Sequence, residues 1–320
     1  MMTQAKQKGR WAQIRKQQHA YAFILPTVLA MTLIHFVPMV QGIYMSFLKL
    51  NQITLSRYLA APFIGLRNYA DILFNPGSLI RIAGLAQAAK VTMIYATVVT
   101  VATIVLGLVV ALILNHDFRG RTILRTLFFL PWVIPQFVTG LLWGFMFQKN
   151  EGVVNFLFCD LLGLAAEKPF WLIGPNTLWA IIIPTVWRGW PFAMIMLLAG
   201  LQQISDDYYQ AAKIDGANAW QRFRHITWPL LKPVWATLLL FGMIFNVYSF
   251  NIVYMMFGLG AGYPGPWGDL LMTNIFRASF GSYRFGAGAA ASVLLMIFMI
   301  GMVLIWNHFF KKDLMGEDHN

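Results

Sequence analysis

The stretch VTMIYATVVTVATIVLGLVVALIL, residues 91–114, contains no charged side chain. A helix needs about 20 apolar residues to cross the ~30 Å hydrocarbon core of a bilayer, and buried strands and signal-peptide cores are shorter. The stretch therefore predicts a transmembrane helix. The whole chain has the same character, because 58% of its 320 residues are hydrophobic and only 11% are charged. A soluble domain carries roughly 25% charged residues to cover its surface.

Six segments meet this criterion, so we predict an all-α, polytopic membrane protein with six transmembrane helices. They are Ala20–Phe47, Val91–Leu114, Leu127–Phe147, Thr177–Leu201, Pro233–Leu259 and Phe285–Phe310. The first shows no clear cleavage site and is expected to be a retained anchor. Prolines inside the spans, among them Pro131 and Pro135, predict kinks. Gly140 and Gly144 form a GxxxG pair that favours close helix approach.

Lysine and arginine favour cytoplasmic loops. With a cytoplasmic N-terminus, the cytoplasmic side holds fourteen basic residues and the outer loops hold eight. Both termini are therefore expected inside. The predicted organisation is a basic cytoplasmic tail over residues 1–19, a transmembrane domain over 20–312 with a cytoplasmic loop at 205–232, and a cytoplasmic tail over 313–320.

The sequence lacks the motifs of a membrane-embedded enzyme. There is no HExxH pair, no GxSxG elbow and no GxxxxGK[ST] loop, and Cys159 is the single cysteine. No predicted span contains an aspartate or glutamate, the usual groups of a proton relay. We therefore predict no catalytic residue, no metal site and no cofactor bound by this chain. A partner must supply the energy for uphill transport.

A polar segment, residues 205–232, separates the fourth and fifth spans. Ser205 is a suitable helix N-cap, and Asp206 and Asp207 favour the first turn of a helix. Gly216 then permits a tight turn.

A second helix follows this turn, with Trp220, Phe223 and Ile226 on one face. Pro229 and Pro233 are expected to end it before the fifth span. The simplest alternative is an interfacial amphipathic connector with no further role.

The run QAAKIDGANAWQRFRHITWP, residues 210–229, resembles the signature EAA-x-x-DGA-x(5)-F-x-x-I-x-x-P of importer-type ABC permeases. Further stretches resemble the maltose-type, carbohydrate-importing branch of that family. They are FIGLRNYADIL (63–73), RTILRTLFFLPWVIPQFVTGLLW (121–143), WRGWPFAMIMLLAGLQQI (187–204) and FGAGAAASVLL (285–295).

The resemblance implies that residues 205–232 form a coupling helix that docks on a cytoplasmic ATPase subunit. The positions that match the signature are Gln210, Ala211, Ala212, Asp215, Gly216 and Ala217. Gln210 departs from the usual glutamate, so an ion pair is replaced at most by a hydrogen bond. The implied partners are two ATPase subunits that carry ATP and Mg²⁺, a second homologous permease and an external solute-binding protein.

Polar groups inside spans four and five indicate where a solute could bind. Arg188 is the single charge within a span, and Asn246, Ser249 and Asn251 follow in the fifth. The resemblance adds Gly189, Phe192 and Phe245 to the substrate pathway and also includes Asn246 and Ser249. Interhelical hydrogen bonding for the amide and the hydroxyl, and a structural pair for Arg188, remain open alternatives.

The resemblance implies half of the translocation pathway of a sugar or oligosaccharide importer in the bacterial inner membrane. Arg188, with eight basic and five acidic residues in the outer loops, suggests an acidic sugar as a narrower hypothesis. The competing class is a self-contained secondary carrier or channel, which would carry in-membrane carboxylates or an internal repeat.

Overall fold

A computed structural model describes residues 18–77, 84–258 and 262–315, with side chains from residue 21 to residue 311 within these ranges. Most of both predicted tails lies outside the described residues. The described chain is helical, and its one β-bridge joins Leu48 to Phe63. The helices of four or more residues are α1 (Gln18–Met31), α2 (Val37–Met45), α3 (Arg67–Phe74), α4 (Leu85–Asn115), α5 (Arg121–Val133), α6 (Gln136–Met146), α7 (Thr177–Leu201), α8 (Asp206–Ile214), α9 (Ala219–Arg222), α10 (Lys232–Val247), α11 (Asn251–Met256), α12 (Leu271–Phe276) and α13 (Phe285–Met315).

Residues 18–74 and 283–293 form one compact unit. A π-helical turn, Thr32–Phe36, joins α1 to α2, and no residue of the apolar window within Tyr21–Met45 is buried. The small core of this unit contains Leu48, Leu50 and Ala61. Asn68 supports it by donating its side-chain amide to the carbonyl oxygens of Ser46 and Leu48.

The described residues within 75–282 and 294–315 form the second unit. Helix α4 packs along α7 and α10, and α6 packs against α11. Two apolar clusters lie at different levels of this bundle. One surrounds Tyr95, Ile181 and Val253, and the other surrounds Leu114 and Met194. Helices α4 and α7 contribute to both clusters.

Among the described residues, four helices are long and apolar enough to cross a membrane. The count rises to six if each of two bent helix pairs is one span. The predicted third span, Leu127–Phe147, is broken, because α5 and α6 meet at 91°. Pro135 has no N–H to continue the helical ladder, and it precedes α6 directly. Pro131, by contrast, lies inside α5.

The predicted fifth span, Pro233–Leu259, was wrong as a single helix. Helix α10 ends at Val247, residues 248–250 interrupt it, and α11 begins at Asn251. Leu259 lies outside the described residues. The interruption places the short polar side chain of Ser249 between two helical pieces.

The glycine pair of α6 makes the close helix contact that its spacing predicts. A Cβ added to Gly140 would lie 2.5 Å from the carbonyl oxygen of Ile252, and one added to Gly144 would lie 3.0 Å from that of Met256. Both obstacles are backbone atoms of α11, so a side chain cannot rotate away to make room.

Gly140→Ala should therefore lower the thermal unfolding midpoint of the purified protein, since overpacking costs about 1–3 kcal/mol. Differential scanning fluorimetry in detergent measures this change. Gly301→Ala is the matched control, because nothing lies within 4 Å of the Cβ added there. An unchanged midpoint for Gly140→Ala would contradict the close packing of α6 on α11.

A candidate substrate cavity at the middle of the helices

A cavity of about 740 Å³ lies within the second unit. Its walls come from α4, the α5–α6 break, α7, the α10–α11 interruption and α12. Thr100 and Gly189 line it, and they are the central residues of α4 and α7. The cavity therefore lies between the two apolar clusters, at half the length of α4 and of α7. Transporter sites occupy this depth in general.

The structure brings together all of the residues predicted for the substrate pathway. Each lines this one cavity: Arg188, Gly189, Phe192, Phe245, Asn246, Ser249 and Asn251. Their proximity is a structural finding, whereas their contact with a solute stays a prediction.

Arg188 holds the break of the third span. Its Nε donates to the carbonyl oxygen of Ile134 at 2.9 Å, and its Nη2 donates to that of Trp132 at 3.5 Å. These carbonyls lie where the 91° bend interrupts the helix. In lipid, an unsatisfied backbone carbonyl costs several kcal/mol, so a buried donor beside the break is strongly stabilising. The structural alternative for Arg188 is thus realised, and the residue also faces the cavity.

Trp132 ties the break to α7 through its ring. Phe192 stacks on it with centroids 4.8 Å apart, and the guanidinium carbon of Arg188 lies 5.0 Å from its centroid. All three residues line the cavity. One wall is therefore an aromatic surface next to a cation.

The polar residues of the fifth span make interhelical hydrogen bonds. Asn246 donates its Nδ2 to Thr100 Oγ1 at 3.0 Å, and Asn251 donates its Nδ2 to Gln136 Oε1 at 3.1 Å. Ser249 Oγ lies 3.1 Å from the phenol oxygen of Tyr95. The interhelical hydrogen bonds that the sequence left open are therefore present, and the contact of these cavity-lining groups with a solute stays a prediction.

The predicted coupling segment begins as its sequence indicates. The Ser205 hydroxyl accepts a hydrogen bond from the backbone N–H of Asp207, and α8 starts at Asp206. Gly216, with φ +79°, ends α8 in a left-handed turn. The Ala217 N–H donates to the Ala212 carbonyl at 2.9 Å, and the Gly216 N–H donates to Lys213. This pair of bonds is the Schellman arrangement, which satisfies the last carbonyls of a helix.

The coupling residues form one continuous surface on this turn. Gln210, Ala211, Asp215 and Gly216 are exposed, and Ala212 and Ala217 are half-buried. Ile214, beside them, is 88% exposed.

The second helix of the segment differs from its predicted end. Asn218 and Gln221 form a capping box at its start. The helical path continues as a π-turn through Phe223–Thr227 and passes Pro229, so proline does not end it there. The chain bends by 64° at Leu231 instead. Proline is tolerated because it falls in the first turn of a short new helical piece, where its missing N–H would have no partner.

Sequence reasoning missed several polar residues of the site. Thr185 and Gln136 line the cavity, and Tyr95 contacts the Thr185 hydroxyl from behind the wall. A tyrosine in an apolar span was a signal for Tyr95, since its hydroxyl must find a partner in lipid. Away from the cavity, the buried Asp269, which precedes α12, forms an ion pair with Arg277, which follows α12.

Comparison with known proteins identifies the class of this arrangement. Residues 103–312 match the family described as "Binding-protein-dependent transport system inner membrane component". The chain is 35% identical to the inner membrane ABC transporter permease protein YcjO of Escherichia coli K12, covering 84% of this chain and 86% of that protein. It is 32% identical to the trehalose/maltose transport system permease protein MalF of Thermococcus litoralis, and that match covers 91% of this chain and 93% of that protein.

A solved bacterial ABC transporter for import of the acidic polysaccharide alginate has the same fold, with a TM-score of 0.78 and 22% identity over 94% of this chain and 98% of the other. The chain belongs to the inner-membrane permease family of binding-protein-dependent ABC transporters. The resemblance drawn from the coupling signature is thereby confirmed. Membership also confirms a multi-pass inner-membrane transport component rather than an enzyme.

Replacing Arg188 with methionine should loosen the α5–α6 break, because methionine donates no hydrogen bond to the two carbonyls. A hydrogen bond from a charged donor contributes about 1.5–3 kcal/mol. Hydrogen–deuterium exchange should therefore show faster exchange in residues 132–138, and the unfolding midpoint should fall. Arg188→Lys should restore part of the protection from exchange and part of the unfolding midpoint.

Arg119→Met is the matched control, since Arg119 is exposed in the turn before α5. Unchanged exchange across the break in Arg188→Met would show that the two hydrogen bonds do not hold it.

Proposed function

We propose that this chain forms half of the translocation pathway for a sugar or oligosaccharide in a bacterial ABC importer. The observation that carries the proposal is the mid-depth cavity, which combines aromatic surfaces with amide and hydroxyl groups. The C–H faces of a sugar ring pack on aromatic rings, while its hydroxyls need hydrogen-bonding partners. Relatives named for trehalose/maltose and maltodextrin transport support this cargo class.

The proposed topology has six spans, with the bent pair α5–α6 counted as one, the fifth span beginning at α10, and both termini in the cytoplasm. The distribution of lysine and arginine supports this orientation. It places α8, the turn at Gly216 and α9 on the cytoplasmic side. The exposed coupling surface then faces the compartment that holds ATP.

We propose that the coupling surface docks on one of two ATPase subunits, which bind ATP and Mg²⁺. The small residues Ala211 and Ala212 permit close approach, and Ile214 offers an apolar side chain that solvent does not favour. Gln210 is exposed and can donate a hydrogen bond where a glutamate would form an ion pair. Exposed ion pairs contribute under about 1 kcal/mol, so docking tolerates this replacement.

The other proposed partners are a second permease and an external solute-binding protein. One helical bundle with a cavity on its side cannot enclose a path, so a homologous chain would complete it. The unburied window within Tyr21–Met45 supplies apolar surface for lipid and such a partner. The family description, which names binding-protein-dependent systems, supports the delivery of cargo by a solute-binding protein.

An acidic sugar is the narrower hypothesis for the cargo. Arg188 supplies a positive charge to the cavity lining. Two of its donors are committed to carbonyls at the break. A guanidinium has five N–H donors, so a carboxylate could still be bound. A neutral sugar needs no such pairing. Comparing the import of maltotriose, which is neutral, with that of an alginate trisaccharide, which is acidic, tests this hypothesis.

Ile214→Glu should reduce recovery of the ATPase subunits with the affinity-tagged permease by about tenfold, because docking would bury an unpaired charge. Import by the reconstituted transporter should fall in parallel. Ile53→Glu is the matched control, since Ile53 is 87% exposed in the turn before residues 55–60 of the first unit. Full ATPase recovery with Ile214→Glu would remove this surface from the docking site.

The alternative function, a secondary carrier or channel, would move sugar without ATP. Liposomes that hold the full complex should import sugar only when ATP is present on the ATPase side. Accumulation without ATP would favour the carrier.

A further inference from the structure

Three hydroxyl groups form a chain behind the cavity wall. The Tyr95 side chain is fully buried, and its oxygen lies 2.8 Å from Thr185 Oγ1 and 3.1 Å from Ser249 Oγ. Thr185 Oγ1 in turn donates to the carbonyl oxygen of Ile181 at 2.8 Å. Thr185 and Ser249 line the cavity, whereas Tyr95 does not. The chain therefore runs from the cavity surface into the core.

The order of protons along this chain follows from valence. A hydroxyl has one proton, and Thr185 gives its proton to the Ile181 carbonyl. Thr185 Oγ1 must then accept from the Tyr95 hydroxyl. Because the Tyr95 proton is committed, the Tyr95 oxygen must accept from Ser249. Ser249 Oγ is left with lone pairs and no proton to donate elsewhere.

The Tyr95 hydroxyl is not needed to fill space. Its ring belongs to the apolar cluster around Ile181 and Val253, where phenylalanine would occupy nearly the same volume. A buried hydroxyl is costly unless it is hydrogen-bonded, and here it makes both of its bonds to residues of the cavity wall. What the hydroxyl adds is a fixed proton order at the cavity surface.

We propose that Tyr95 is a positioning residue that holds Ser249 as a hydrogen-bond acceptor, so that this subsite accepts a donor group such as a sugar hydroxyl. The inference rests on the proposed function of the cavity as a sugar pathway. It defines the chemistry of one contact: a cargo hydroxyl donates its proton to Ser249 Oγ. A group that only accepts hydrogen bonds, such as a carbon-bound fluorine, finds no donor there.

The first test reads the proton order directly and requires no cargo. Difference infrared spectroscopy on protein with ring-labelled tyrosine isolates the phenol C–O band of Tyr95, as wild type minus Tyr95→Phe. The band should have the position of a phenol that both donates and accepts a hydrogen bond. Ser249→Ala should move it to the donor-only position. A shift to the acceptor-only position, or no shift, would overturn the proposal.

The second test reads the selectivity of the complete transporter in proteoliposomes. Maltose, maltotriose and an alginate trisaccharide are compared first, and mono-deoxyfluoro analogues of the best-imported sugar follow. At least one analogue should raise the KM of the wild type about three- to tenfold, as expected for the loss of one hydrogen bond. Tyr95→Phe should bring the ratio of the analogue KM to the parent KM close to one, because Ser249 regains a free proton.

Tyr44→Phe, which removes the same hydroxyl from a helix of the first unit, is the matched control and should leave the ratio unchanged. If Tyr95→Phe impairs import of the parent sugar and of the analogue equally, Tyr95 has a structural role and the inference is overturned. If wild type imports none of the three sugars, the proposed cargo class fails, and the infrared test still decides the proton order.

Discussion

Backbone carbonyls and N–H groups must all find partners inside a lipid bilayer, and this requirement governs the structure. An unbroken helix without proline, such as α4, meets it by itself. The third and fifth spans do not, because Pro135 and residues 248–250 interrupt them. Arg188 supplies donors to the carbonyls at the first interruption. Polar side chains in lipid are costly, so their presence at the breaks reflects a need that apolar residues could not meet.

The same breaks create the cavity. Straight helices would pack α4 and α7 continuously from one apolar cluster to the other. The bend at the α5–α6 junction and the interruption after α10 border the space between these clusters, and Arg188, which donates to the carbonyls of the bend, lines it. The structural and solute-binding interpretations of Arg188 and Ser249 are therefore compatible. A side chain that completes a broken span is, by its location, also a wall of the pathway.

The coupling segment obeys the opposite constraint, because its groups face water. Its turn at Gly216 is closed by backbone hydrogen bonds within the segment, so its shape depends little on the surrounding bundle. The cavity and the coupling surface are thus built from different interactions, long-range packing in one and local capping in the other.

The sequence alone determined the membrane class, the approximate span positions, the cap at Ser205 and the turn at Gly216. These features depend on hydrophobic length or on residues within one helical turn, which the local sequence contains. It also indicated the family, through the fixed spacing of the coupling signature. Only the tertiary structure decided which proline breaks a helix, because Pro131 lies inside α5 whereas Pro135 precedes α6 at the 91° bend. It alone paired Arg188 with Ile134, since that contact joins residues far apart in the chain.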